Sequence, residues 1–268
     1  MKRVYLDYNA SAPLREEARE AMVHAMALAG NPSSVHAEGR QARAIVETAR
    51  QQVAAALGAQ GADVIFTSGA TEAAGLALNG RGIRCADIEH EAVSSWCQSD
   101  LSCGSDGGVV CEAPEVTALQ LANSETGILQ QLPEGLALCD MTQAFGKLPV
   151  AFHWTGATMA LVSAHKIGGP KGVGALIVKR GTEVAAQIKG GGQEMGRRSG
   201  TENVIGIAGF GAAAEAAQRD LADGVWEQVE KLRNILEKAV AQSSSETIFT
   251  GKGGRRLPNT SYMISEGW

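Results

Sequence analysis

Several short stretches of this 268-residue sequence carry side chains suited to chemistry. Ser163-Ala164-His165-Lys166 follows an apolar run and precedes the turn-forming Ile167-Gly168-Gly169-Pro170-Lys171-Gly172. A lysine at the end of a buried strand is desolvated, which lowers its pKa and frees its amine for Schiff-base formation with a carbonyl. If the strand continues through the motif, Ser163 and His165 lie on one face, because residues two apart share a side. Read alone, the tetrapeptide is better taken as a surface loop with a solvated lysine. Asp140 ends the apolar run 136–139 and is followed by Met141-Thr142-Gln143. A carboxylate held against a pyridinium nitrogen keeps a ring an electron sink; the same residue read singly caps a turn or a helix. Ser68-Gly69-Ala70-Thr71 offers backbone N–H groups and a hydroxyl at a helix start, which suits a phosphate or a plain N-cap. His90, in Glu89-His90-Glu91, could stack on a flat cofactor and move protons near neutral pH, or be structural. His24, His36 and His153 have no such company.

Elements must position these residues. Residues 15–29 read as a helix ended by Asn31-Pro32-Ser33-Ser34. Ala42, Val46, Ala49, Val53 and Leu57 recur at helical steps and form one apolar stripe. Asp63–Thr67 is a short β-branched and aromatic strand, followed by a small-residue helix through Leu78. Further strand-like runs fall at 117–122, 136–139, Met159–Ser163 and Gly174–Val178. Strands alternating with helices predict an α/β fold with a mostly parallel sheet. Val225, Val229, Leu232, Leu236 and Val240 predict a late amphipathic helix.

Composition narrows the function. Hydrophobic residues make up 44% and charged residues 20%, ordinary for a globular chain. A net charge of -5 argues against a nucleic-acid binder, and Arg197-Arg198 and Arg255-Arg256 read as solvated loop charges. No apolar run suggests a membrane span or a leader, so a cytoplasmic protein is expected. Five cysteines without a C-x-x-C pair fit neither a zinc site nor a disulfide framework, and free thiols are expected.

Taken in order, Tyr5-Leu6-Asp7-Tyr8-Asn9-Ala10, Gly30-Asn31-Pro32-Ser33-Ser34, Phe66-Thr67-Ser68-Gly69-Ala70-Thr71-Glu72, Glu89-His90, Glu125-Thr126-Gly127, Asp140 with Gln143, Ser163-x-His165-Lys166 and Arg198-Ser199-Gly200-Thr201-Glu202-Asn203 resemble the successive motifs of the cysteine desulfurases. The resemblance implies a fold type I transferase using pyridoxal 5'-phosphate (PLP). It implies a large PLP-binding domain over 14–218, and an incomplete small domain from 1–13 and 219–268. It further implies that Lys166 holds PLP as a Schiff base, and that His90 stacks on the ring and assists proton transfer. Asp140 pairs with the ring nitrogen and Gln143 reaches the phenolic oxygen. Ala70, Thr71, Ser163 and His165 bind the phosphate, and Thr201 reaches the phosphate of the neighbouring subunit in a homodimer. The implied reaction converts L-cysteine to L-alanine and passes sulfur, as a persulfide, to an acceptor or iron–sulfur scaffold protein.

Two positions depart from that pattern. Ser124 stands where the family has an asparagine, with Asn123 one place earlier. The family's nucleophilic cysteine and substrate-binding arginine fall downstream of residue 268, so this chain is expected to be C-terminally truncated and inactive by itself. Cys103, in a loop, is the one substitute thiol considered. A non-catalytic PLP-binding or scaffold protein and a related lyase acting on selenocysteine are the alternatives. A nucleotide-dependent oxidoreductase is a third, because Gly209-Phe210-Gly211-Ala212-Ala213-Ala214 fits G-x-G-x-x-A, although no strand precedes it.

Overall fold

The computed structural model describes residues 3–265. Its centre is a seven-stranded sheet built from β1 (Asp63–Thr67), β2 (Arg84–Ala86), β3 (Gln98–Leu101), β4 (Thr117–Gln120), β5 (Leu138–Asp140), β6 (Met159–Ser163) and β7 (Gly174–Val178), in the order β1-β7-β6-β5-β4-β2-β3. β7 runs antiparallel to both neighbours, and every other pairing is parallel. Six strands therefore run in one direction and open their C-terminal ends along one edge, where ligands of open α/β sheets bind.

Strand alternation divides the core into two layers. Val64, Phe66, Ala160, Val162, Ala175 and Ile177 face one side, packed with residues of α2 (Ala37–Ala56) and α5 (Val204–Ala222). Ile65, Met159, Leu161, Leu176 and Val178 face the other, with α3 (Ala70–Leu78). The predicted stripe Ala42, Val46, Ala49, Val53 and Leu57 is buried throughout. α1 (Glu16–Met26) also packs on α5. Gly209 lies inside α5, where a Cβ would meet Met22 at 2.7 Å, and at Gly211 one would meet the Ala49 Cα at 2.7 Å. These glycines permit close helix packing, so the segment 209–214 is no nucleotide-binding turn.

The connection from β4 to β5 contains no helix, unlike the usual parallel crossover. It folds back through the bridges Ala122↔Leu129 and Ile128↔Arg256. After α5, α6 (Val225–Ser243) begins at Gly224, whose φ of 69° is left-handed; position 218 lies within α5. β8 (Ile248–Thr250) and β9 (Tyr262–Ile264) form a separate two-stranded sheet. Of the residues assigned to a small domain, 1–2 and 266–268 lie outside the described ones.

The predicted α6 stripe differs in outcome. Val225, Leu232 and Leu236 are exposed, and the buried residues are Arg233 and Glu237. Glu237 pairs with Arg256 at 2.7 Å and accepts from Ser261 at 2.8 Å, while Arg233 donates to the Leu257 carbonyl at 2.7 Å. Arg256 is thus a buried ion-pair member and not a solvated loop charge. Arg197 and Arg198 are likewise engaged, with Asp63 and Glu72.

Candidate active site

The strand ends bring the chemical residues to one cleft of about 820 Å³. Ala70, Thr71, His90, Asp140, Gln143, Ser163, His165 and Lys166 all line it. Thr201 does not; it borders a smaller adjoining pocket with Ser68 and Gly172.

Ser68, Gly69, Ala70 and Thr71 form the β1–α3 turn. Gly69 is the N-cap of α3, and Glu72 reaches back to accept from Ser68 N at 2.7 Å. The turn lies against β7 because residue 174 is glycine: a Cβ there would meet Gly69 Cα at 2.8 Å. Arg198 joins Glu72 at 2.8 Å and so ties the segment carrying Thr201 to this turn.

β6 ends at Ser163, and Ala164–Lys166 forms a 3₁₀ turn. Ser163 therefore reaches the cleft from the strand end and His165 from the turn, and not both through strand alternation. Burial, then the charges of Lys166 and Lys171, push the His165 pKa down to about 4; its Nδ1 lies 3.3 Å from Ser11 Oγ. Burial also lowers the Lys166 pKa, against the attraction of Asp140, Asp7 and Glu125. Its Nζ donates to the Asn9 carbonyl. The amine is thus held in the cleft and moved toward its nucleophilic form.

Asp140 ends β5. Burial raises its pKa, against a hydrogen bond from Thr142 and the charges of His90 and Lys166. Oδ1 accepts from Thr142 N at 2.8 Å, and Oδ2 has no hydrogen-bond donor among the described residues. A half-buried carboxylate with a free oxygen suits a cationic ring nitrogen, and the turn 68–71 suits a phosphate. The residues present fit PLP. His90 caps α4 (Glu91–Ser94), its Nδ1 accepting from Ala92 N at 3.0 Å, which leaves Nε2 as the protonated nitrogen of the neutral ring. Glu89 beside it is buried, and its pKa is raised well above the carboxylate range by burial and by Asp140 and Cys85. It accepts from Gln120 N at 2.7 Å.

Asn123 does not stand in for Ser124. Its Oδ1 accepts from Glu125 N, Thr126 N and the Thr126 hydroxyl at 2.9–3.0 Å, so it builds the turn while Ser124 lines the cleft. None of the five cysteines lines the cleft, Cys103 included. Sequence reasoning gave no role to Asn9 or Lys147, although Asn9 lies in the Tyr5-to-Ala10 motif. Asn9 contacts Lys166, Gln143, Lys147, Ser124, Asn259 and Thr260.

This sheet edge, with a lysine, a carboxylate and a phosphate-suited turn converging on it, defines a PLP-dependent transferase of fold type I. The aminotransferase class-V family profile matches residues 4–99 and 108–263, and the chain belongs to that family. Within it, the relatives are cysteine desulfurases. One from Frankia sp. (strain EuIK1) is 39% identical over 306 residues, covering 96% of this chain and 73% of the relative. That aligned span exceeds the chain's own length, so the relative carries internal segments absent here. The X-ray structure of a NifS-like protein from Rickettsia africae ESF-5 superposes with a TM-score of 0.90 at 32% identity, covering 97% of this chain and 81% of that one. SspA, solved in complex with cysteine, superposes at 0.72 with 28% identity, covering 80% of this chain and 72% of that one. No helix among the described residues is long and apolar enough to cross a membrane.

Proposed function

We propose that the cleft binds PLP through Lys166 and takes L-cysteine as substrate, removing its sulfur and leaving L-alanine. The convergence of Lys166 and Asp140 on one cleft with the turn 68–71 carries this reading. When bound, PLP supplies an electron sink conjugated to the substrate carbon. Lys166 Nζ holds the cofactor and then moves a proton. Asp140 anchors the ring nitrogen. His90 would stack on the ring and exchange a proton through Nε2. Gln143 donates to the phenolic oxygen. Ala70, Thr71, Ser163 and His165 orient the phosphate, and Thr201 extends to the equivalent phosphate of a second copy in a homodimer. A thiolate takes the sulfur: the substrate C–S bond breaks, an S–S bond forms, and the carbon is protonated to alanine. The product persulfide serves an acceptor or iron–sulfur scaffold protein in the cytoplasm, and the described residues of 1–13 and 219–268 act as a smaller domain.

Borohydride reduction of the PLP-loaded chain, followed by peptide mapping, should place the label on Lys166. A label on Lys147 or Lys171 contradicts the assignment. Because no cysteine lines the cleft, a second reading is PLP binding without turnover by this chain alone. Alanine release on adding cysteine separates the two, and multiple turnovers abolished by Cys103→Ser would assign the thiolate to Cys103.

A further inference from the structure

Lys147 is 3% exposed, yet no carboxylate is among its hydrogen-bond partners. A buried ammonium without a counter-charge is costly, and an apolar side chain would be cheaper at a purely structural position. Burial, then the charge of Lys166, lower its pKa to about 7. Its Nζ donates to Gln143 Oε1 at 2.8 Å and lies 3.4 Å from Asn9 Oδ1. The other end of the same amide, Gln143 Nε2, donates to the Asn9 carbonyl at 2.9 Å. The two contacts fix the amide jointly. Reversal would set the NH2 group against an amine and the carbonyl against a carbonyl, losing both hydrogen bonds. Asn9 is itself held from the far side, since its Oδ1 accepts from Asn259 Nδ2 at 2.8 Å and its Nδ2 donates to Thr260 Oγ1 at 2.9 Å.

An amide NH2 carries two hydrogens, and Asn9 takes one. The second has no acceptor among the described residues, and Gln143 lines the cleft. We propose that Lys147 is a positioning residue: by holding Gln143 Oε1 away from the cleft, it makes the site present an N–H donor, and not a carbonyl, to the cofactor's phenolic oxygen. The inference rests on the Gln143 contact in the proposed function. It adds the group that decides which end of that amide is used.

The test is the pH midpoint of the visible absorbance band of PLP bound to the full chain, in Lys147→Met, Gln143→Met and the double variant. A donor to the phenolic oxygen stabilises its anionic form. Losing the donor should therefore raise the midpoint by about one pH unit in either single variant, the scale of one hydrogen bond to a charged group. In the Gln143→Met background, Lys147→Met should add nothing. An unmoved midpoint in Lys147→Met overturns the proposal. So does an equal shift in both backgrounds, which would mark a through-space charge effect on Lys166. An unmoved midpoint in Gln143→Met, with PLP still fixed on Lys166, removes the Gln143 contact and the proposal with it, but leaves the PLP reading standing. If the methionine variant does not fold, Lys147→Leu, which also lacks an N–H donor, supplies the same readout with the same expected rise.

Discussion

In β6 every residue from Met159 to Ser163 is buried, and the polar groups gather just beyond the strand end. In α6 the arrangement is reversed: Leu232, Ile235 and Leu236 are 66%, 64% and 45% exposed, whereas Arg233 and Glu237 are buried. β6 is a continuous apolar run as far as Val162, whereas α6 carries its apolar residues at helical period. β6 meets neighbours on two edges and two faces, so its whole run is buried. α6 presents a charged side to the 255–261 segment, where Arg256, Ser261 and the Leu257 carbonyl satisfy it. A hydrophobic period thus marks a face, but only the packing partner decides whether that face is covered.

Three measurements would break or sharpen this contrast. The largest effect is expected from Glu237→Ala, which leaves Arg256 buried without its partner. Arg256 and Glu237 are only 4% and 3% exposed, and breaking such a pair costs about 3 kcal/mol. Denaturant unfolding should show that loss; a cost near zero would mean that α6 and 255–261 do not unfold with the rest.

A smaller effect concerns pH at the sheet edge. The His165 pKa is pushed down to about 4, below the ordinary value of about 6.5. Between these values the unfolded chain binds a proton that the folded chain refuses, so stability falls as pH drops from about 6.5 toward about 4. His165→Gln should flatten the stability curve of the PLP-free chain in that window. An unchanged slope would place the titration elsewhere. The smallest effect is expected from Leu232→Ser on the exposed stripe, within about 0.5 kcal/mol by the same denaturant measurement. A loss as large as a core truncation would show that the stripe is covered in solution.

Much of the fold was legible because burial and period agreed. β1, β6, β7 and the end of α3 at Leu78 fall where β-branched runs and turn residues place them. The stripe of α2 is buried as its spacing predicts. The site was legible as a set of motifs, and eight of the nine residues named for it reach one cleft. Less legible was how they get there. His165 joins Ser163 at the cleft because the chain leaves the strand for a 3₁₀ turn, against which Gly169 packs so closely that a Cβ there would meet the Ala164 Cβ at 2.8 Å. Asn123, one place before the departure at Ser124, has its side chain engaged by its own turn and by the Ile88 carbonyl.

The sequence by itself determined the family, through ordered motifs, and the α/β class, through strands and helices whose apolar periods are local properties. Tertiary structure alone decided the environments. Asn9 lies 157 positions from Lys166 and Lys147 comes before the whole of β6, so no local signal links either to Lys166. They meet at the site because six co-directional strands deliver their C-terminal ends to one edge, where the N-terminal segment crosses. The lowered pKa of Lys147 and the buried state of Arg256 have the same origin: desolvation and hydrogen bonding depend on what the fold places around a charge, and sequence neighbours do not specify that.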